Sequence, residues 1–294
     1  MNRSKIITAT ALATVMTAGV AHAEMSISGA YVGGIQDKVG ATAHTLKTNS
    51  IYVNYSDSLD NGMGLGVAMS VTGASITTTI GIDTGFGSVE LGNGGNSAVD
   101  DADGSPAEIS MMHGPRITGL SFADGDDTGD GDSIKYIAPS MGGLGVSLTQ
   151  GFDDGTYDKT TSVAVSYNLM GVGLKAGVSS LDVKDNVHGS ADTDPSFFTA
   201  SYSIAGLNLG YAVYDNDVST GDEETQMGVN TSLGGMTVGA TFAELDTSTV
   251  DTDAMLLVAK KSMGPMSFSV EYLELDPSNA TATDTISLTY GVGF

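Results

Sequence analysis

The residues best suited to do chemistry in this 294-residue chain are carboxylates, and many of them are crowded into one stretch. Between positions 93 and 132 stand Asp100, Asp101, Asp103, Glu108, Asp124, Asp126, Asp127, Asp130 and Asp132, with Arg116 and His113 as opposing groups. Carboxylates grouped in this way concentrate cations and repel anions. Asp124, Asp126, Asp130 and Asp132 also present hard oxygen donors at alternate positions with Gly129 sixth, the spacing of a helix-flanked calcium loop. The twelfth position, which should be a bidentate Glu, is Lys135, and no flanking helices are foreseen. The motif therefore fails, and the expectation reduces to a weak, irregular calcium site. No other cofactor is expected. With no Cys there is no disulfide, thiolate metal site or cysteine nucleophile. His44, His113 and His188 fall on predicted loops, with no spacing that suggests a metal triad or a Ser-His-Asp site. The glycine-rich 91–96 lacks the full nucleotide-binding fingerprint and the helix that should follow it.

What those carboxylates do depends on the elements that hold them. In 62–72, Met63, Leu65, Val67, Met69 and Val71 alternate with Gly64, Gly66, Ala68, Ser70 and Thr72. Successive strand residues face opposite sides, so one flank is apolar and the other small or polar. The same period returns at the end, where Ile286, Leu288, Tyr290, Val292 and Phe294 alternate with Ser287, Thr289, Gly291 and Gly293. Short glycine turns recur at Gly142, Gly171, Gly206, Gly235 and Gly264, at intervals of 29, 35, 29 and 29, and longer acidic connections lie between them. This is a repeated β-hairpin. Sixteen such segments can be counted, among them 25–35, 46–56, 74–83, 86–92, 133–139, 172–181 and 284–294.

An apolar flank has to be covered by a second protein layer or by lipid. Segments of about ten residues suit a tilted membrane strand, and turns short on one rim and long on the other suit a transmembrane barrel. The opposite flank carries Ser, Thr, Asn and Gly, where a soluble core would need Leu or Ile. The fold class is thus all-β, a 16-stranded antiparallel transmembrane β-barrel, wide enough at that strand number to hold water. The alternative is an exported soluble acidic all-β protein, such as a calcium-binding adhesin or surface-layer protein.

Charge and the first residues agree with export. Lys and Arg total 11 against 35 Asp and Glu, a formal charge of −24, which excludes nucleic acid as a partner. Residues 1–23 have a basic start, an apolar stretch too short to span a bilayer, and a small-x-small end at Ala21-His22-Ala23. They read as a cleavable secretory signal peptide, leaving 24–294 as the barrel.

The order SISGAYVGGI, GMGLGVAMS, FGSVELGN, one long acidic insertion and a terminal TISLTYGVGF resembles the general outer-membrane porins of alphaproteobacteria. The resemblance covers essentially all of 24–294. It implies a homotrimer in the outer membrane through which ions and small hydrophilic solutes diffuse passively, with no enzymatic activity. It also implies that the third loop, here 93–132, folds inward as an eyelet facing a basic wall, and that Phe294 serves as an assembly signal. The basic wall should fall near 46–56, where only Lys47 is present, and alternation puts Lys47 on the apolar flank.

Alternation points Glu90, Lys135, Lys175 and Glu271 into the lumen, since each on the lipid flank would cost about 2–4 kcal/mol at the midplane. With Asp100, Asp101, Asp103, Glu108, Arg116, Asp124, Asp126 and Asp127 they make up the expected constriction, of mildly cation-selective character.

Overall fold

A computed structural model describes residues 24–38, 41–73, 75–93, 97–100, 102–104, 109–113, 116–118, 120, 132–152, 157–183, 192–216 and 221–294. Its strands are β1 (Glu24–Lys38), β2 (Ala41–Ser58), β3 (Gly64–Thr72), β4 (Ser75–Thr84), β5 (Gly87–Asn93), β6 (Asp132–Ile137), β7 (Leu144–Gly151) and β8 (Tyr157–Leu169). They continue with β9 (Val172–Val183), β10 (Ser196–Ile204), β11 (Leu207–Asp215), β12 (Glu223–Leu233), β13 (Met236–Asp246), β14 (Thr252–Met263), β15 (Met266–Pro277) and β16 (Thr283–Gly293). Every strand pairs antiparallel with its neighbours in sequence, and β1 pairs with β16, so the sheet closes and no edge is left unpaired.

The two flanks of the sheet are inverted relative to a water-soluble protein. On β16, Ile286 and Leu288 are 54% and 56% exposed, while Ser287 and Thr289 between and beside them are 0% and 1% exposed. Cross-strand register extends this around the wall: Val270 pairs with Leu288 on the outside and Ser269 with Thr289 on the inside. Hydrocarbon outside gives the exposed Val, Leu, Ile and Met side chains the apolar surroundings they need, and closure satisfies the backbone without water. The soluble alternative required a second layer over this flank. A single closed sheet with its apolar side chains outermost overturns it.

The tight turns follow from backbone sterics. Gly234 and Gly235 have φ of +61° and +77°, the pair of positive angles that a two-residue hairpin of matching twist demands. At two sister turns the first position is Met170 or Ala205, with φ near +50°, and glycine holds only the second.

Several strands run longer than alternation foresaw, β1 and β2 by the most. β2 starts at Ala41, so only 39–40 separate it from β1, and His44, expected on a loop, lies within the strand, 3.2 Å from the Tyr290 hydroxyl. The cause is a β-bulge. Register passes from Val32–Thr48 to Gly33–Leu46, which leaves Lys47 as the extra residue and shifts the phase of everything before it. The alternation that placed Lys47 on the apolar flank breaks at this point. Its charge is among those felt by His113 of the long loop.

Candidate functional site

The connection between β5 and β6 turns into the barrel. Its described residues lie along an arc of inner wall running from β8 around to β1. At one end the Ala98 N–H donates to Ser162 Oγ on β8 (3.1 Å). At the other, Met111 and Met112 lie over Gly291 on β16 and Gly34 on β1. These glycines set how close the loop comes. A Cβ at Gly34 would sit 2.7 Å from Met112 Cε and 2.8 Å from the Leu288 carbonyl oxygen, and one at Gly291 would sit 2.8 Å from Met111 Cε.

Two apolar patches fasten the loop, although the lumen flank is otherwise polar. Ile117 and Ile109 pack against Ala243, Ala254, Leu256, Val258 and Leu273. Val99, Ala102 and Leu120 pack against Phe197, Ala212 and Tyr214. Burial of such side chains contributes about 1.5–3 kcal/mol for each large one. The signal in sequence was the unbroken run Ala254-Met255-Leu256-Leu257-Val258, apolar on both flanks of β14, which simple alternation does not explain.

Polar contacts then fix the register of the loop on the wall. Glu271, fully buried on β15, accepts hydrogen bonds from the Met111 N–H (2.8 Å), Ser269 Oγ (2.6 Å) and Ser110 Oγ. Ser110 Oγ in turn accepts the His113 N–H at 2.8 Å. Successive loop N–H groups converging on one carboxylate form an anion-binding turn, and bonds to an ionised acceptor are the stronger kind. Farther along, Arg116 Nη1 lies 2.5 Å from Asp103 Oδ2 and its guanidinium stands over the Tyr214 ring, 5.5 Å from the centroid. The Tyr214 hydroxyl donates to the Asp103 carbonyl (2.6 Å). Thr118 Oγ1 and Gln226 Nε2 both donate to Glu224 on β12, a lumen carboxylate that the sequence reading did not single out.

The opposite arc stays open. Tyr52, Asn54 and Ser56 on β2 and Ala68 on β3 face inward and are exposed, in contrast to the buried inner faces of β12 to β16. A recess of about 220 Å³ among Asn54, Ala68, Thr79, Asp83 and Glu90 marks this side. There Lys135 Nζ pairs with Glu90 Oε2 at 3.0 Å across β5 and β6. Lys175, on the inner face of β9, is exposed. The expected constriction residues thus divide by place. Asp103 and Arg116 are paired within the loop, Glu271 lies beneath it, Glu90 and Lys135 stand on the wall, and Asp100 is exposed in the loop's first turn. Asp101, Glu108, Asp124, Asp126 and Asp127 lie outside the described residues. Of the four proposed calcium ligands, Asp124, Asp126 and Asp130 also lie outside them, and Asp132 opens β6. Among the described residues no three His, Asp or Glu side chains gather as a metal site would require.

His113 gives the docked loop a pH dependence. Burial holds its imidazole below the ordinary value of 6.5, opposed by the nearby Glu271 carboxylate and reinforced by Lys47. A base that resists protonation in the docked state stabilises that state above its free value, and the contribution is lost as pH falls through the lowered one. Acidification from neutrality is therefore expected to loosen 110–113, read as increased current fluctuation in single-channel records. The change should be smaller in His113→Gln, and identical pH responses in the two proteins would refute the assignment.

Comparison with known proteins places this geometry. Solved structures with the same architecture include a loop-deletion mutant of OmpT, an outer membrane protein of Vibrio cholerae (14% identity, TM-score 0.73, covering 93% of this chain and 100% of that one). A refined porin structure matches at 18% identity and TM-score 0.72, and a mutant of the Rh. blastica porin at 16% and 0.69, each covering 92% of this chain and 100% of the other. At such identities the likeness is one of fold. A search of curated proteins finds no match. The family model for Gram-negative porins matches residues 8–294, nearly the whole chain. With a closed sixteen-strand barrel, an apolar outer flank and a loop seated in the lumen, the chain belongs to the Gram-negative porin family and is an outer-membrane channel.

Proposed function

We propose that this channel passes ions and small hydrophilic solutes by passive diffusion with a preference for cations, no bond being made or broken. The observation that carries the reading is the one-sided seating of the loop. It covers the inner arc from β8 to β1 and leaves a polar, exposed arc at β2 and β3 as the path for water and solute.

The cation preference rests on charge. The chain has a formal charge of −24. The ends of β11 to β16 on the long-loop rim carry Asp215, Glu223, Asp246, Asp253, Asp276 and Asp284, so a solute entering there crosses a negative mouth. Inside, Lys135 is offset by Glu90 and Arg116 by Asp103, so these two cations add little opposing positive field. Assembly as a homotrimer, and export by a signal peptide at 1–23 that is then removed, complete the proposal. Both rest on the sequence reading.

Reversal potentials across planar bilayers under a KCl gradient test the selectivity. The expected sign is that of K⁺ preference, and Lys135→Gln should move it further in the same direction by unpairing Glu90. A parent channel that prefers chloride would overturn the proposal.

A further inference from the structure

We propose that the recess beside Lys175 is a binding site for small organic monocarboxylates on their way through the channel. Lys175 stands on the inner face of β9, exposed, and forms no ion pair among the described residues. In this it differs from Lys135 and Arg116, whose charges are taken up by Glu90 and Asp103.

What surrounds it is a built recess of about 270 Å³, lined by Ala98 and Ala102 of the loop and by Ile137, Ala164, Ser166 and Lys175 of the wall. Register sets the polar groups side by side, with Ser166 opposite Lys175 across β8 and β9, and Thr199 opposite it on β10. Ser147, opposite Ala164 across β7 and β8, adds a further hydroxyl to the lining. One cation balances one negative charge, and serine hydroxyls donate to the second oxygen of a carboxylate. The alanines and Ile137 present an apolar surface that a halide or sulfate leaves unused but a short hydrocarbon body covers. A dicarboxylate would bring a second charge with no partner. The volume lies just below the roughly 300 Å³ at which ordinary ligand pockets begin, which limits the occupant to a few heavy atoms beyond the carboxylate.

The proposal rests on the channel reading, and its test separates the two. Single channels in KCl are titrated from one side with butyrate, and with sulfate as the inorganic control. Butyrate should interrupt the current with a saturable concentration dependence, and sulfate should not. Lys175→Gln should weaken the apparent affinity by at least about tenfold, since a charge-assisted contact is lost. Lys175→Arg should keep most of it. Ser147→Leu, which fills the recess without touching the charge, should abolish it. Saturation-transfer NMR of butyrate with the detergent-solubilised protein reads the same site without conduction, so a protein that binds butyrate but passes no KCl would sink the channel reading alone. The proposal is overturned by a parent that neither binds butyrate nor is interrupted by it. It is equally overturned by sulfate acting as well as butyrate, by a Lys175→Gln protein that behaves as the parent, or by Ser147→Leu leaving the affinity unchanged.

Discussion

Glu271→Ala is expected to give a channel of higher and noisier conductance, because it removes the acceptor on which the loop's deepest turn is gathered. The Met111 N–H and the Ser110 hydroxyl would lose their partner on the wall, and Ser269 would be left with nothing to receive its proton. Hydrogen bonds to an ionised group contribute about 1.5–3 kcal/mol each, so after partial replacement by water a docking loss of about 3 kcal/mol is a reasonable scale. The two apolar patches under Ile117 and Val99 are untouched, so the loop should stay inside and come loose only around 110–113. Glu271→Gln keeps the shape and one good acceptor and should fall between the parent and Glu271→Ala. Single-channel conductance and limited proteolysis of the loop are the readouts. An alanine variant indistinguishable from the parent in both would mean that the apolar patches alone hold the loop.

The barrel was legible in the sequence because a lipid-facing strand has a strict period of two. Met63, Leu65, Val67 and Met69 could hardly be arranged otherwise, and the sixteen segments counted by alternation correspond to the sixteen strands. Alternation failed where the backbone departs from it. The bulge at Lys47 shifts the phase by one residue, which hid the first half of β2 and removed the basis on which alternation assigned Lys47 to a flank. The loop was legible as an insertion but not in its attachments. Glu271 looks like any inward carboxylate until Ser110 and Met111 are seen to close over it, and nothing local in 97–120 states which of sixteen inner faces it will meet. Even so, two features of the wall pointed to a covered arc. Leu256 and Val258 are apolar on a flank that should be wet, and Gly34 and Gly291 leave gaps on the inner flank of strands that need none for pairing.

Leu288→Lys and Ala68→Lys should have opposite fates although both add the same charge near the middle of a strand. Leu288 is more than half exposed on the outer flank of β16, where the surroundings are hydrocarbon, and a lysine at the midplane costs about 2–4 kcal/mol. A strand that must also close the barrel against β1 has little margin for that cost, because failure there leaves two edges unpaired. Little heat-modifiable barrel should accumulate, and what does fold should unfold at lower urea concentration. Ala68 faces the open side of the lumen between Asn54 and Thr79, where an ammonium keeps its water. That variant should fold like the parent and shift the reversal potential toward anions. If Leu288→Lys folded as well as Ala68→Lys, the outer flank would not be in hydrocarbon, and the inside-out distribution of side chains would need another solvent to explain it.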